Sequence, residues 1–82
     1  MRLPRDLSGL ALAKALEALG YQITRQTGSH LRLTTQEHGE HHVTIPKHSA
    51  LRVGTLAAIL DEIAAHFEME RAMLVEQLFG GR

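Results

Sequence analysis

Residues 28–30 place a glycine, a serine and a histidine side by side, Gly28-Ser29-His30. Histidine titrates at ~6.5 in model peptides, so it can move protons near neutral pH. RNA carries its own nucleophile, the ribose 2′-hydroxyl, and a base that takes its proton can drive attack on the adjacent phosphate without a metal ion or cofactor. These residues predict RNA cleavage with His30 as the catalytic base. The alternative is a solvated histidine at the edge of a strand.

Further side chains are candidates for contact with an RNA backbone. Arg32 follows His30 by two residues, which places both on one face of a strand, and its guanidinium fork matches phosphate oxygens. Lysine at position 47 can neutralise a phosphate, and histidine at position 48 can donate a proton or a hydrogen bond. The alternative is a basic loop that follows a strand. The predicted RNA-binding residues are Ser29, Arg32, Lys47 and His48.

A second histidine cluster raises the question of a metal site. His38, His41 and His42, with or without His48, have a spacing at which imidazoles can ligate zinc. Zinc sites usually need three or four fixed ligands with supporting hydrogen bonds, and a hairpin turn does not fix histidines as a helix does. We therefore expect surface histidines and no bound metal, and keep a histidine-rich metal-binding domain as an alternative.

Helical periodicity occurs on both sides of the central segment. Leucines recur on one face over residues 8–19, after Ser8 as a candidate cap and before Gly20, which suits a left-handed terminal position. A second apolar stripe predicts a helix that begins near Thr55, and a short third helix is expected near 68–79.

The central segment alternates with period two and predicts three strands in meander order. Tyr21, Ile23 and Arg25 are expected to share one face of the first strand. The predicted fold is α+β, with helices packed on the apolar face of a three-stranded antiparallel sheet and one domain over residues 1–82. The polar face is expected to carry His30, Arg32, Thr34, His42 and Thr44.

Composition excludes several classes of protein. The 82 residues contain no cysteine, which rules out disulfides and thiolate metal sites, and no apolar run is long enough for a membrane span. We expect a cytoplasmic protein without a membrane partner. The net charge is zero, but residues 1–54 carry seven Lys or Arg against four Asp or Glu, whereas residues 55–82 carry two against five.

Taken in order, short motifs resemble those of the HicA toxin family. The motifs are LEALGY at 16–21, RQTGSH at 25–30, VTIPKH at 43–48, GTL at 54–56 and IL at 59–60. The resemblance implies a fold like that of a double-stranded-RNA-binding domain, metal-independent cleavage of mRNA, and inhibition by a HicB-like antitoxin. It also implies that His30 is the catalytic histidine, with Pro46 and His48 in a loop that contacts or supports RNA.

The neutral charge is a departure, because members of that family are typically basic. Each phosphate contact by Lys or Arg adds affinity through counterion release, so fewer cations predict weaker binding. The alternative function is a binding module of the same fold that binds RNA or protein but does not cut. The oligomeric state is left open by the sequence.

Overall fold

The computed structural model describes residues 3–80. Its elements are α1 (Gly9–Ala15) with a 3₁₀ turn (Leu16–Leu19), β1 (Gln22–Gln26), β2 (His30–Thr35), β3 (His41–Pro46), α2 (Val53–His66), α3 (Arg71–Val75) and a π turn (Glu76–Gly80). The three strands form one antiparallel sheet in the order β1-β2-β3. This confirms the predicted α+β class and the α-β-β-β-α order with an additional C-terminal helix.

The helix ends show which of the predicted capping residues stop or start a helix. The hydroxyl of Ser8 accepts a hydrogen bond from the N–H of Ala11 at 3.0 Å, and Gly20 has a φ of 83° at the end of the 3₁₀ turn, as predicted. Helix α2 begins at Val53, two residues before the predicted Thr55, and its N-cap Arg52 makes no side-chain cap hydrogen bond. The extended backbone of Arg52 starts that helix without a polar cap, so the sequence carried no signal for it.

One face of the sheet and the helices enclose the hydrophobic core. The buried strand residues alternate as predicted, and they are Leu31, Leu33, Val43 and Ile45. Helices α1 and α2 cover them, with Leu12, Leu16, Leu56, Leu60 and Ile63 almost completely buried. Helix α3 adds Leu74 and Val75 to the same core, whereas Met73 stays 58% exposed. The C-terminal segment is therefore part of the folded unit.

The polar face of the sheet has the predicted register between β2 and β3. Arg32 lies opposite Thr44, Thr34 lies opposite His42, and His30 lies opposite Pro46. Directly opposed residues share a face, so this face presents polar side chains on the side away from the helices.

The first strand departs from simple alternation. Ile23 lies opposite Leu33, but the next pair joins Arg25 to Arg32, because the register shifts between positions 23 and 25. Thr24 is thus the extra residue of a β-bulge. The predicted common face for Ile23 and Arg25 is wrong, since the bulge turns Arg25 to the polar face. No helix within residues 3–80 combines the length and apolar character needed to cross a bilayer.

Candidate functional site

His30 stands at the first position of β2, at one end of the exposed sheet face. Its backbone is closed into a turn, because the N–H of Thr27 donates to the carbonyl of His30 at 3.0 Å and the hydroxyl of Thr27 accepts from the N–H of His30 at 3.2 Å. The residue is solvent-exposed. The turn therefore fixes the backbone position of His30, while its side chain remains accessible to a ligand.

The neighbouring serine contacts the same imidazole. The Oγ of Ser29 lies 3.0 Å from Nδ1 of His30. When Nδ1–H donates to this hydroxyl, the lone pair of Nε2 is free to accept a proton. In that tautomer Ser29 holds a ring that can act as a general base, a positioning role in addition to the RNA contact expected from the sequence.

Backbone hydrogen bonds hold the loop that follows β3 beside this turn. The N–H of Lys47 donates to the carbonyl of Ser29 at 2.8 Å, and the N–H of Gly9 donates to the carbonyl of His48 at 2.9 Å. A Cβ at Gly9 would overlap the carbonyl oxygen of Pro46, so only glycine allows helix α1 to approach this loop so closely. Lys47 is thereby placed next to the histidine turn.

The predicted site residues are not all brought together equally. The backbones of Ser29, His30 and Lys47 meet at one end of the sheet, and Arg32 follows on the same face of β2. The side chain of His48 is exposed and makes no hydrogen bond or ion pair to another residue within 3–80. Its position near the site comes from its backbone contact with Gly9 alone.

A chain of polar side chains continues across the same face. Thr24 Oγ1 lies 2.9 Å from Thr34 Oγ1, which lies 2.7 Å from Nδ1 of His42, and Nε2 of His42 lies 2.9 Å from Glu40. Nε2–H of His42 can thus donate to the carboxylate of Glu40 while Nδ1 contacts the hydroxyl of Thr34. The chain links all three strands and leaves Arg32 between it and His30.

Comparison with known proteins identifies the family. The family model described as HicA toxin of bacterial toxin-antitoxin matches residues 11–64, which is more than half of the chain and includes the histidine turn and the Lys47 loop. The chain belongs to the HicA toxin family. No curated protein and no solved structure matched it. Membership in this toxin–antitoxin family implies a cognate antitoxin as partner.

In this HicA-family chain, His41 and His66 form a histidine pair where β3 meets the end of α2. The rings of His41 and His66 are stacked with centroids 4.4 Å apart, and the hydroxyl of Tyr21 lies 2.7 Å from Nδ1 of His41. Burial, followed by the charge of Glu62, raises the pKa of Tyr21, so its hydroxyl keeps the proton that it can donate to Nδ1 of His41. Burial, followed by the neighbouring charge of His66, lowers the pKa of His41.

His66 was not among the candidate residues, since it is isolated in the sequence from the other histidines. Its Nε2–H faces the carbonyls of Glu37 and Gly39, each at 3.0 Å, and so holds the polar β2–β3 turn against α2. A sequence signal for this contact was absent, because it depends on the packing of the helix end against the turn.

The zinc alternative receives no support from the arrangement of these side chains. Consecutive strand residues 41 and 42 point to opposite faces, and their imidazoles contact Tyr21 and Thr34 respectively. In the portion of the HicA-family chain from Leu3 to Gly80, no group of three or more His, Cys, Asp or Glu side chains is placed to hold a metal ion.

Two shallow depressions occur beside β1, and neither includes His30. One is bordered by Glu17, Tyr21 and Ile23, and the other by Thr24, Thr34 and Gln36. Small enzyme substrates usually bind in concave pockets. Chemistry on an open sheet face instead suits an extended polymer, whose binding is distributed over several exposed contacts.

Proposed function

We propose that this chain is a metal-independent endoribonuclease, the toxin of a toxin–antitoxin pair, which cleaves mRNA in the cytoplasm. The observation that carries the proposal is an exposed histidine whose Nδ1 contacts Ser29 while Nε2 has no hydrogen-bond partner among residues 3–80. Family membership gives this geometry a toxin context. The cognate antitoxin is proposed to be a HicB-like protein that inhibits by covering this face.

The proposed reaction follows from the groups around His30. Nε2 of His30 takes the proton of the ribose 2′-hydroxyl, and the 2′-oxygen attacks the adjacent phosphorus. The bond from phosphorus to the 5′-oxygen breaks, and that oxygen takes a proton from water. The hydroxide left behind removes the proton held by Nε2 of His30, which restores the base. The products carry a 2′,3′-cyclic phosphate and a 5′-hydroxyl, and no redox step or cofactor is needed.

The cationic side chains hold the RNA backbone in this proposal. Arg32 lies on the same strand face as His30 and binds the phosphate under attack, because a guanidinium matches its oxygens. Lys47 and His48 lie in the loop that follows β3 and contact the RNA backbone at that end of the sheet. Ser29 orients the imidazole and borders the same strand of RNA.

The direct test is cleavage of a generic single-stranded RNA in EDTA by wild type and by His30→Ala. A positioned acid–base group usually contributes ~10²–10⁴-fold, so the variant should lose at least that much activity while its melting temperature stays unchanged. Induced expression of wild type should arrest growth, and the variant should not. His38→Ala is the matched control, since this exposed histidine lies in the β2–β3 turn.

A non-catalytic binding module is the second candidate, and the zero net charge favours it because RNA affinity depends on cations. The same experiment separates the two functions. A wild-type chain that binds RNA or an antitoxin but leaves RNA intact both in EDTA and with Mg²⁺ would establish the binding module. Cleavage retained by His30→Ala would contradict the catalytic role of His30.

A further inference from the structure

The β-bulge at Thr24 creates a pair of arginines on the polar face of the sheet. Arg25 of β1 lies directly opposite Arg32 of β2, and both are exposed. Directly opposed residues have Cβ atoms ~4.5–5.5 Å apart, and like charges in that position are destabilising. A regular strand would have turned Arg25 away, so the bulge is what brings the two cations together.

Side-chain hydrogen bonds hold the bulge in place. The hydroxyl of Thr24 lies 3.3 Å from the carbonyl oxygen of Arg32 and 2.9 Å from the hydroxyl of Thr34. Among the ion pairs formed by residues 3–80, none includes Arg25 or Arg32. The fold therefore places two arginines at directly opposed positions, and neither forms an ion pair with a carboxylate of residues 3–80.

The pair also has a defined place relative to the proposed base. Arg32 is two residues from His30 on one strand face, which corresponds to about 6.6 Å between their Cα atoms. It is the first side chain along β2 that can meet the phosphate attacked by a 2′-oxygen held at His30. Arg25 lies directly across from Arg32 on the neighbouring strand.

We propose that Arg25 is a further catalytic residue, which shares the scissile phosphate with Arg32. This inference rests on the proposed ribonuclease function. A phosphodiester carries one negative charge, whereas the pentacoordinate state formed by attack of the 2′-oxygen carries two. Two guanidinium groups complement the second state better than the first, so their effect falls on the rate of the bound complex more than on ground-state affinity.

The test uses a DNA oligonucleotide that contains a single ribose, so that only one phosphate can be cleaved. Single-turnover rates are measured over a range of enzyme concentrations for wild type, Arg25→Gln and Arg25→Lys. Lys14→Gln is the charge-matched control, because Lys14 lies on helix α1 behind the sheet. Arg25→Gln should lower the saturating rate by about 10²-fold, the usual loss for one oxyanion donor.

The half-saturating concentration should change by less than about threefold, and Arg25→Lys should recover only part of the rate because lysine lacks the fork. Thermal unfolding should show Arg25→Gln to be as stable as wild type or slightly more stable, since a like-charge contact is removed. A structural role for Arg25 would lower the melting temperature instead.

The outcomes separate this inference from the function on which it rests. An inert wild type would remove both. If wild type cleaves, His30→Ala does not, and Arg25→Gln cleaves as fast as Lys14→Gln, only the role of Arg25 is overturned. A loss confined to the half-saturating concentration would overturn it as well, because it would place Arg25 in ground-state binding.

Discussion

Gly28 lies two residues before the proposed catalytic His30, yet the fold itself does not require a glycine there. The positive-φ glycines of residues 3–80 are Gly20 and Gly39, and a Cβ at Gly28 would meet no atom of that part of the chain within 4 Å. The turn over residues 27–30 is closed by the hydrogen bond from the N–H of Thr27 to the carbonyl of His30, and it needs no positive φ at Gly28. In the proposed ribonuclease, the open space beside Gly28 leaves room for RNA to approach the turn.

Gly28→Ala should therefore separate folding from cleavage. A glycine-to-alanine change at a compatible position stabilises a protein by ~0.4–1 kcal/mol through the unfolded state, so the melting temperature should not fall. RNA cleavage should fall by about tenfold or more, since a displacement of ~1 Å at the reacting groups can cost 10²-fold. Melting curves and single-turnover cleavage measure the two effects.

Gly54→Ala is the matched control, because a Cβ at Gly54 also meets nothing within 4 Å and the residue lies in helix α2. It should raise stability at least as much and leave cleavage unchanged. Equal activity of the two alanine variants would show that RNA does not approach Gly28.

At the level of elements, the sequence predicted what local periodicity controls. Ser8, Gly20 and the leucine spacing indicated helix α1, and the alternation in β2 and β3 placed His30 and Arg32 on one exposed face. The bulge at Thr24 was missed because a one-residue insertion depends on side-chain bonds to the neighbouring strand, which no spacing along β1 reveals.

The stacked pair of His41 and His66 joins the sheet to the end of α2 and makes the stability of the fold depend on pH. His41 accepts a hydrogen bond from Tyr21, and its Nε2 lies 3.4 Å from Glu62. Burial and the neighbouring His66 outweigh Glu62, with a smaller contribution from His42, so the pKa of His41 is lowered from 6.5. The folded state therefore favours the neutral ring.

Stability should consequently fall as the pH drops below about 6.5, the ordinary value for histidine. Below that pH, His41 binds a proton in the unfolded chain but stays neutral in the folded chain. The loss of folding stability is complete once the pH is below the pKa of His41 in the folded state. Urea unfolding between pH 5 and 7.5 should show this decline in wild type and a weaker decline in His41→Gln, which retains an acceptor for Tyr21.

His48→Gln serves as the control, because this exposed histidine has no side-chain partner among residues 3–80. Its pH dependence should match that of wild type. An unchanged slope in His41→Gln would mean that the stacked pair does not govern the response to acid.

At the scale of the molecule, the zero net charge conceals a partial separation of charge into layers, although Glu40 lies on the polar face with His42 and Lys14 lies on helix α1. The polar sheet face presents Arg25 and Arg32, and Lys47 lies at its end, whereas Glu70 and Glu76 flank helix α3 in the helical layer behind the sheet. The smallest extent of the Cα trace is 22 Å. Since the Debye length at 0.15 M salt is ~8 Å, acidic groups behind the sheet are largely screened from RNA on its front.

The double variant Glu70→Gln/Glu76→Gln should therefore leave RNA affinity within about twofold at 0.15 M salt, where exposed charges farther apart than ~8 Å are screened. Affinity is measured with the inactive His30→Ala background so that RNA stays intact. Lys47→Gln, which removes a cation from the front, should lower affinity and flatten the plot of log affinity against log salt by ~0.7, the value for one phosphate contact on a single strand. The Glu70→Gln/Glu76→Gln variant could instead raise RNA affinity by more than Lys47→Gln lowers it. That result would mean that the net charge of the protein, and not the placement of its charges in layers, governs RNA binding by this toxin.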